Sequence, residues 1–382
     1  MSAAERAAYD AALHELQRDS AADVARLLIL GPQWGGALSP SQYAARDAHI
    51  NAHSAWVRGG ALSVYALKVP GDSEDECASS YCEGYQMRGL RCVAPGELVP
   101  CTVLGIASVF TPAQRRGRGY ASRMLSALAR RVAAADSPPA ALMLMCEIEP
   151  TIYERLGYVA PTRPVHDWAF THAGSRDAAP PAVLGHEAQP LLPADVPAYV
   201  ARMETLVRRD MLRRGVVGAV VVTPTAEQCM WPSDRYDAVR AVSAAAPPPA
   251  AACGARCGDA WALWAMDLEE NQGTYTPVLR ITLLCAGADD DTAAVLAAAV
   301  DSARAAGASA GRAIAWQPGT LLADGRAADG APFWAPPAAA LARAGIAAAL
   351  EPRRCRSTPM MAPLAEAVRP EAWVWAPRAI WI

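Results

Sequence analysis

The sequence of 382 residues lacks several features that would assign it to a broad class of protein at once. Its 35 basic and 38 acidic residues nearly balance, so charge indicates neither a nucleic acid nor an anionic membrane as a partner. No apolar run approaches the roughly 18 residues of a membrane-spanning helix. The N-terminal segment has neither the apolar core of a secretion signal nor the acid-free pattern of a transit peptide. We therefore expect a cytoplasmic protein without a nucleic-acid or membrane partner.

The ten cysteines are scattered along the chain. Cys253 and Cys257 are separated by three residues, which is not the usual spacing of zinc ligands, and no histidine cluster accompanies them. We therefore predict reduced thiols and no bound metal.

Two common phosphate-binding loops, the P-loop and the dinucleotide fingerprint, are also missing. Instead, the string Gln-Arg-Arg-Gly-Arg-Gly-Tyr-Ala at 114–121 follows the apolar run 103–110 and precedes a pattern with the period of a helix. The N-terminus of a helix has backbone N–H groups without intrahelical partners, and glycines allow an anion to approach them. Three arginines add positive charge. The turn therefore predicts a pyrophosphate site.

The pattern Gln-x-x-Gly-x-Gly in this turn resembles the acetyl-CoA signature of the GNAT N-acetyltransferase superfamily. After the strand-like run 141–148, the string Tyr-Glu-Arg-Leu-Gly-Tyr at 153–158 resembles the second GNAT signature, in which a tyrosine faces the thioester sulfur. Two signatures in this order, with a strand between them, are more specific than either one alone. The resemblance implies acetyl-CoA as co-substrate, held by Val109, Phe110, Thr111, Gln114, Arg115, Arg116, Gly117, Arg118, Gly119, Tyr120 and Ala121.

A closer resemblance is to the fungal lysine N6-acetyltransferase family, which acetylates the ε-amine of free lysine at the start of lysine breakdown. It is carried by the segments 82–88, 105–112 and 116–121. The likeness covers residues 10–170 and extends more faintly through Val221–Thr225, Trp261-x-x-Trp264 and Arg356-x-x-Pro359-Met360. Where the family usually has Ser-Glu/Asp-Ile-Gly, this chain has Cys146-Glu147-Ile148-Glu149. That departure leaves the identity of the acceptor open.

The predicted elements include a first strand over 12–19, a helix that Asp23 caps and a hairpin at Pro95-Gly96, and their order agrees with the superfamily resemblance. The Ala/Pro/Gly-rich segments 244–258 and 325–345 are predicted to be loops or insertions. We expect an α/β (α+β) protein whose residues 1–172 form a GNAT-type mixed, mostly antiparallel sheet flanked by helices. A linker at 173–190 leads to a second, smaller α/β lobe at 191–382, which completes the acceptor pocket. Its strand–helix–strand order resembles a degenerate GNAT-like repeat. The turn 287–291 of this lobe carries three carboxylates, which repel phosphate, so the lobe is not expected to bind CoA.

Acetylation of lysine requires a base, because the ε-amine has a pKa near 10.4 and is almost fully protonated at pH 7. Glu147, at the end of the strand beside the cofactor strand, is the first choice for this base, and Glu83 competes with it. Tyr153 is the predicted acid that protonates the leaving CoA thiolate. Backbone N–H groups along 109–111 are expected to stabilise the oxyanion.

The acceptor pocket is predicted to include Glu83, Trp264 and Asp267, with Glu149 as an alternative partner of the substrate's α-ammonium. The predicted reaction is transfer of acetyl from acetyl-CoA to the ε-amine of free L-lysine. Two alternatives stay open: an acetyltransferase for another amino acid, a polyamine or a protein lysine, and a non-catalytic acyl-CoA-binding protein. The sequence does not fix the oligomeric state.

Overall fold

The protein is described here as a computed structural model. It covers residues 2–16, 33–69, 78–160, 167–172, 186–243, 252–271, 274–308, 313–316, 320–322, 341–342, 344–351 and 358–364. Two sheets organise these residues, and helices pack on both. Within the described residues, no helix is long and apolar enough to cross a membrane.

The first sheet contains most of the strands of the N-terminal half. Its order is β1 (Leu13–Leu16), β2 (Leu62–Leu67), β3 (Ser80–Ala94), β4 (Glu97–Phe110), β5 (Ala141–Cys146) and β15 (Thr358–Pro363). Strand β8 (Val220–Val222) pairs with β3 beside this path. All of these pairs are antiparallel except β4 with β5, which is parallel. The predicted GNAT-type sheet, mixed and mostly antiparallel, is confirmed.

Among the described residues of the N-terminal half, four helices accompany this sheet. They are α1 (Ala3–Ala11), α2 (Pro40–His53), α3 (Tyr120–Ala133) and α4 (Thr151–Glu154). Ser39 caps α2, with Pro40 as its first residue, and α3 buries an apolar stripe that includes Met124 and Leu128. The strand predicted from residue 12 begins as β1, and the helix predicted from Asp23 lies outside the described residues.

The second sheet contains strands that are mostly from the C-terminal half. Its order is β14 (Ile346–Glu351), β6 (Asp167–His172), β12 (Ala313–Trp316), β11 (Thr274–Ala286), β10 (Ala260–Asn271), β9 (Gly254–Cys257) and β7 (Gln189–Leu191), and β13 (Thr320–Leu322) pairs with β11. Helix α7 (Asp289–Ala305) connects β11 to the parallel β12, as α3 connects β4 to β5. The predicted strand–helix–strand order of the second lobe is thus present. The prediction of a loop over 244–258 was wrong where β9 forms.

The two halves of the chain exchange strands. Strand β6 joins the second sheet, although it precedes residue 173, whereas β8 and β15 join the first sheet. Helix α5 (Val196–Arg214) lies between the sheets, because Leu90 of β3, Val207 of α5 and Trp261 of β10 belong to one buried cluster. Helix α6 (Ala226–Val242) contacts both α2 and β10. The domain division at 173–190 stays a prediction.

Candidate functional site

A fork between β4 and β5 opens the first sheet. The two strands pair from Val103 opposite Ala141 to Ile106 opposite Leu144, and β4 then continues to Phe110. Ser108 lies in this continuation with φ of 50°, a conformation that is uncommon for a residue with a side chain. The register between β3 and β4 shifts at the same point, which is the signature of a β-bulge. The bulge therefore bends β4 where the fork begins.

A cavity of about 300 Å³ occupies the fork. Its walls come from the first sheet, from the segment after β5, from α2 and α6, and from Trp34. The lining residues that matter for chemistry are Tyr43, Arg46, Asp47, Asn51, Glu83, Tyr85, Ser108, Glu147, Tyr153, Trp231 and Arg235.

Both predicted candidates for the base line this cavity, and they differ in burial. Glu83 on β3 is only 6% exposed. Its Oε2 accepts hydrogen bonds from the Ser108 hydroxyl at 2.8 Å and from the Tyr85 hydroxyl at 3.4 Å. Glu147 follows β5 and is exposed at the rim. The structure therefore brings the two carboxylates to one cavity, with Glu83 in the more enclosed position.

Tyr153, the predicted acid, also lines the cavity. It lies on α4, its side chain is buried, and its ring packs edge-on against Tyr158 with 5.8 Å between centroids. Burial raises the pKa of Tyr153 to about 12, and the negative charges of Cys146 and Glu147 in their ionised forms act in the same direction. The phenol is therefore protonated at neutral pH, as a proton donor must be.

The glycine turn begins directly after β4. Gly117 and Gly119 have φ of 77° and 73°, and Gly119 is the N-cap of α3. A side chain at either position would be strained, which explains why glycine is required there. Arg116 is held in place because its Nε donates to the carbonyl of Thr111 at 3.0 Å. The predicted cofactor turn thus has the geometry of an exposed helix N-terminus beside the fork.

A pair of opposite charges forms part of the wall on α2. Nε of Arg46 donates to Oδ1 of Asp47 at 2.8 Å, and the guanidinium lies 4.1 Å above the ring centroid of Tyr43. Burial lowers the pKa of Arg46, but Asp47 and Tyr43 together outweigh this effect and the net change is upward. A third charged side chain, Arg235, reaches the cavity from α6.

Apolar surface lies next to these charges. Tyr85 and Trp231 line the cavity and contact each other with ring centroids 5.9 Å apart. Ile50 and Leu62 line the same cavity. The cavity therefore offers carboxylates, cations and an apolar surface to a single small molecule.

Two residues that were predicted to line the acceptor pocket lie elsewhere. Trp264 is packed in the core of the second sheet, where its indole N–H donates to the carbonyl of Ala252 at 2.9 Å. Asp267 forms an ion pair with Arg280 of the neighbouring strand at 2.7 Å. Neither is among the residues that line the cavity. Trp264 packs into the core of the second sheet because α7 covers β10. Asp267 pairs with Arg280 and is held on that strand.

The lining residues that were not predicted from the sequence include Arg46, Asp47, Trp231 and Arg235. Two of them lie on α6, which was not predicted, and Pro232 within it obscured the helical pattern. A usable signal was present, because Thr225 and Gln228 form the capping box that starts this helix. No local signal in α2 distinguishes Arg46 and Asp47 from ordinary surface charges.

Comparison with known families agrees with both signatures. Residues 172–374 match the family described as LYC1 GNAT-like C-terminal domain, and residues 74–160 match the acetyltransferase (GNAT) domain family. No curated protein matches the sequence.

Solved structures of GCN5-related N-acetyltransferases have a similar fold. For the protein of Anabaena variabilis the TM-score is 0.50 at 11% identity, over 93% of this chain and 75% of that chain. For the protein of Kribbella flavida the TM-score is 0.46 at 15% identity, over 91% of this chain and 70% of that chain. At 11% identity, the likeness to the Anabaena variabilis protein concerns the fold alone.

Proposed function

Because the chain belongs to the GNAT acetyltransferase family that carries the LYC1 GNAT-like C-terminal domain, we propose that it acetylates the ε-amine of free L-lysine with acetyl-CoA. One observation supports this proposal most. The cavity in the β4–β5 fork combines a buried carboxylate, a protonated tyrosine and a wall of mixed charge. A base, an acid and a site for a zwitterion are what the acetylation of an amino-acid side chain requires.

The cofactor binds along the edge of β4 and over the glycine turn. Its pyrophosphate accepts hydrogen bonds from N–H groups at the start of α3, where Gly117 and Gly119 leave the backbone accessible. The thioester then lies beside the bulge at Ser108, where the backbone of β4 is bent. N–H groups near Val109 stabilise the oxyanion of the tetrahedral intermediate.

Glu83 accepts the first proton from the lysine ammonium. The gap between a pKa near 10.4 and pH 7 is about 3.4 units, or roughly 4.6 kcal/mol, which the site has to supply. An enclosed carboxylate acts most effectively here, because a desolvated ammonium also loses its proton more easily. The sequence analysis placed this role first on Glu147. Its exposed position makes it the second candidate.

The neutral amine attacks the thioester carbon, a C–N bond forms, and the C–S bond breaks. The phenol of Tyr153 donates its proton to the departing thiolate. The nitrogen loses a second proton as the amide forms, and this proton restores the phenol, while Glu83 releases the first proton to solvent. Overall, one ammonium and acetyl-CoA give an amide, CoA thiol and one proton released to solvent.

The wall of mixed charge recognises the α-carboxylate and the α-ammonium of the amino acid. A free amino acid presents a carboxylate and an ammonium a few ångströms apart. Arg235 and Arg46 suit the carboxylate and Asp47 suits the ammonium, while Tyr85 and Trp231 cover the methylene chain. Arg46 and Asp47 form a pair with no net charge that presents one positive and one negative group. Such a pair suits a ligand that likewise carries one charge of each sign.

A panel of acceptors tests this function. Purified protein with acetyl-CoA is offered lysine, ornithine, cadaverine, spermidine and a lysine-containing peptide, and products are measured by mass spectrometry. We expect lysine to be preferred over cadaverine by about 10- to 100-fold in kcat/KM, because cadaverine lacks the carboxylate. Equal rates with lysine and cadaverine would show that the cavity does not recognise the α-carboxylate of lysine. Acetyl-CoA binding without turnover of any amine would instead support a non-catalytic role.

A further inference from the structure

Three side chains of different chemistry converge in the second lobe, away from the cavity. They are His186 before β7, Cys257 at the end of β9 and Asp291 in the first turn of α7. Nδ1 of His186 lies 2.8 Å from Oδ1 of Asp291, and Sγ of Cys257 lies 3.4 Å from the same oxygen. All three potential ligand atoms lie within 4.8 Å of one another.

An acidic residue at the start of a helix does not by itself indicate a ligand. The helix dipole stabilises Asp291 there, as it does Asp289 and Asp290. Asp291 differs from these neighbours because an imidazole and a thiol from two other segments meet its carboxylate. The three segments are far apart in the sequence, so no spacing motif reveals the group.

The backbone beside Cys257 is shaped around this carboxylate. Gly258 has φ of 51°, and a Cβ built on it would lie 2.2 Å from Oδ2 of Asp291. Only glycine fits, because any side chain there would be strained and would collide with the carboxylate. The turn between β9 and β10 therefore brings its backbone against Asp291.

One nitrogen, one sulfur and one carboxylate oxygen form a donor set that suits zinc. In a tetrahedral zinc site, metal–ligand bonds of about 2.0–2.3 Å place the ligand atoms about 3.3–3.6 Å apart. The Sγ–Oδ1 separation of 3.4 Å lies in this range, and the Nδ1–Oδ1 separation of 2.8 Å is about 0.5 Å shorter than its lower end. The largest separation that the three atoms can have, 4.8 Å, requires a shift of little more than 1 Å.

We infer that His186, Cys257 and Asp291 form a zinc site with a fourth position open to water. Cys257 is 8% exposed, whereas the His186 side chain is 39% exposed, so solvent reaches the site from the histidine side. The metal ties the segment before the edge strand β7 and the end of β9 to the start of α7. Its role is structural, because none of the three ligands lines the acetyltransfer cavity.

The test is zinc binding by full-length protein without an affinity tag, measured by competition with a chromophoric chelator. We expect one equivalent of Zn²⁺ for the wild type and none for Cys257→Ser. Cys253→Ser is the matched control, since Cys253 is equally buried nearby and its thiol donates to the Leu191 carbonyl. The Cys253→Ser variant should still bind one equivalent of Zn²⁺. His186→Asn provides a second ligand variant on the exposed side, where loss of folding is not expected.

Two further readouts distinguish a site from a fold defect. Co²⁺ bound in place of zinc should give a thiolate-to-cobalt charge-transfer band that disappears in Cys257→Ser. Zinc should raise the thermal midpoint of the wild type and of Cys253→Ser, but not that of His186→Asn. The proposal would be overturned if the wild type did not bind zinc. It would also be overturned if Cys257→Ser and His186→Asn each still bound one full equivalent of Zn²⁺. Acetyltransfer to lysine is expected to be the same in Cys257→Ser as in the wild type, so this outcome is independent of the proposed function.

Discussion

Replacement of Glu83 by glutamine tests how the cavity removes a proton from its acceptor. Glutamine preserves the volume of the side chain and an oxygen that can accept from Ser108, which now donates at 2.8 Å. Only the ability to take a proton is lost. At pH 7 only about one lysine ε-amine in 2,500 is unprotonated, since its pKa is near 10.4. General base catalysis typically contributes about 10²- to 10⁴-fold. We expect Glu83→Gln to lower kcat/KM at pH 7 by an amount within that range.

The pH profile separates a lost base from a disturbed pocket. If the variant depends on free amine in solution, its kcat/KM should rise about tenfold per pH unit until it approaches the pKa of the amine. Release of CoA thiol can be followed continuously from about pH 6.5 to about pH 10. Glu147→Gln is the matched control, because it makes the same chemical change at an exposed position of the same cavity.

Two outcomes would refute this reasoning. A normal rate in Glu83→Gln together with a severe defect in Glu147→Gln would transfer the role to Glu147, as first predicted from the sequence. Normal rates in both variants would show that the proton leaves through solvent. An unchanged affinity for acetyl-CoA, measured by calorimetry, is required for either comparison.

Three other substitutions probe the remaining parts of the site. Gly117→Asp should weaken acetyl-CoA binding at least tenfold, or by about 1.4 kcal/mol, whereas Gly96→Asp, at a hairpin turn with similar φ, should not. Calorimetry checks both, and equal affinities would remove the phosphate site from the turn. Tyr153→Phe should lower kcat by about 10²- to 10⁴-fold. Because the pKa of Tyr153 is raised to about 12, wild-type kcat should show no loss from ionisation of this phenol up to about pH 10. Arg235→Gln should raise KM for lysine but not for cadaverine, while Arg240→Gln, on the same helix and paired with Asp237, should change neither. Steady-state kinetics with both amines decides this last point.

The parts of the fold that the sequence predicted depend on local signals. The hairpin at Pro95-Gly96 and the turn at 114–121 need glycine for backbone reasons, and each flanks an apolar strand. Helix α3 has a clear apolar stripe. The exchange of strands was not predictable in this way, because pairing of β15 with β5 joins residues about 200 positions apart and leaves no local trace.

The same distinction applies to the site. Tyr153, Glu147 and Glu83 were found because they lie on or beside strands whose order the motifs indicated. Trp264 and Asp267 were assigned to the acceptor pocket because an aromatic wall and a carboxylate on one strand suit an amino acid. The pattern of a strand does not reveal which of its faces meets which core. Arg235 reaches the cavity only through the packing of α6 against α2, so a tertiary contact determines its position.

On the proposed function, this arrangement has a consequence for how the acceptor is selected. The groups proposed for chemistry, Glu83 and Tyr153, lie on the first half of the chain, whereas Trp231 and Arg235 come from the second half. Strand β15 reinforces the link, since Met360 and Met361 are fully buried in the two cores that flank the first sheet. A change in the second half that shifts α6 should therefore alter the preference among amines while leaving the binding of acetyl-CoA at α3 intact. On this proposal the chemistry lies on the first half, whereas both halves contribute to specificity, because Arg46 and Asp47 line the same cavity as Arg235.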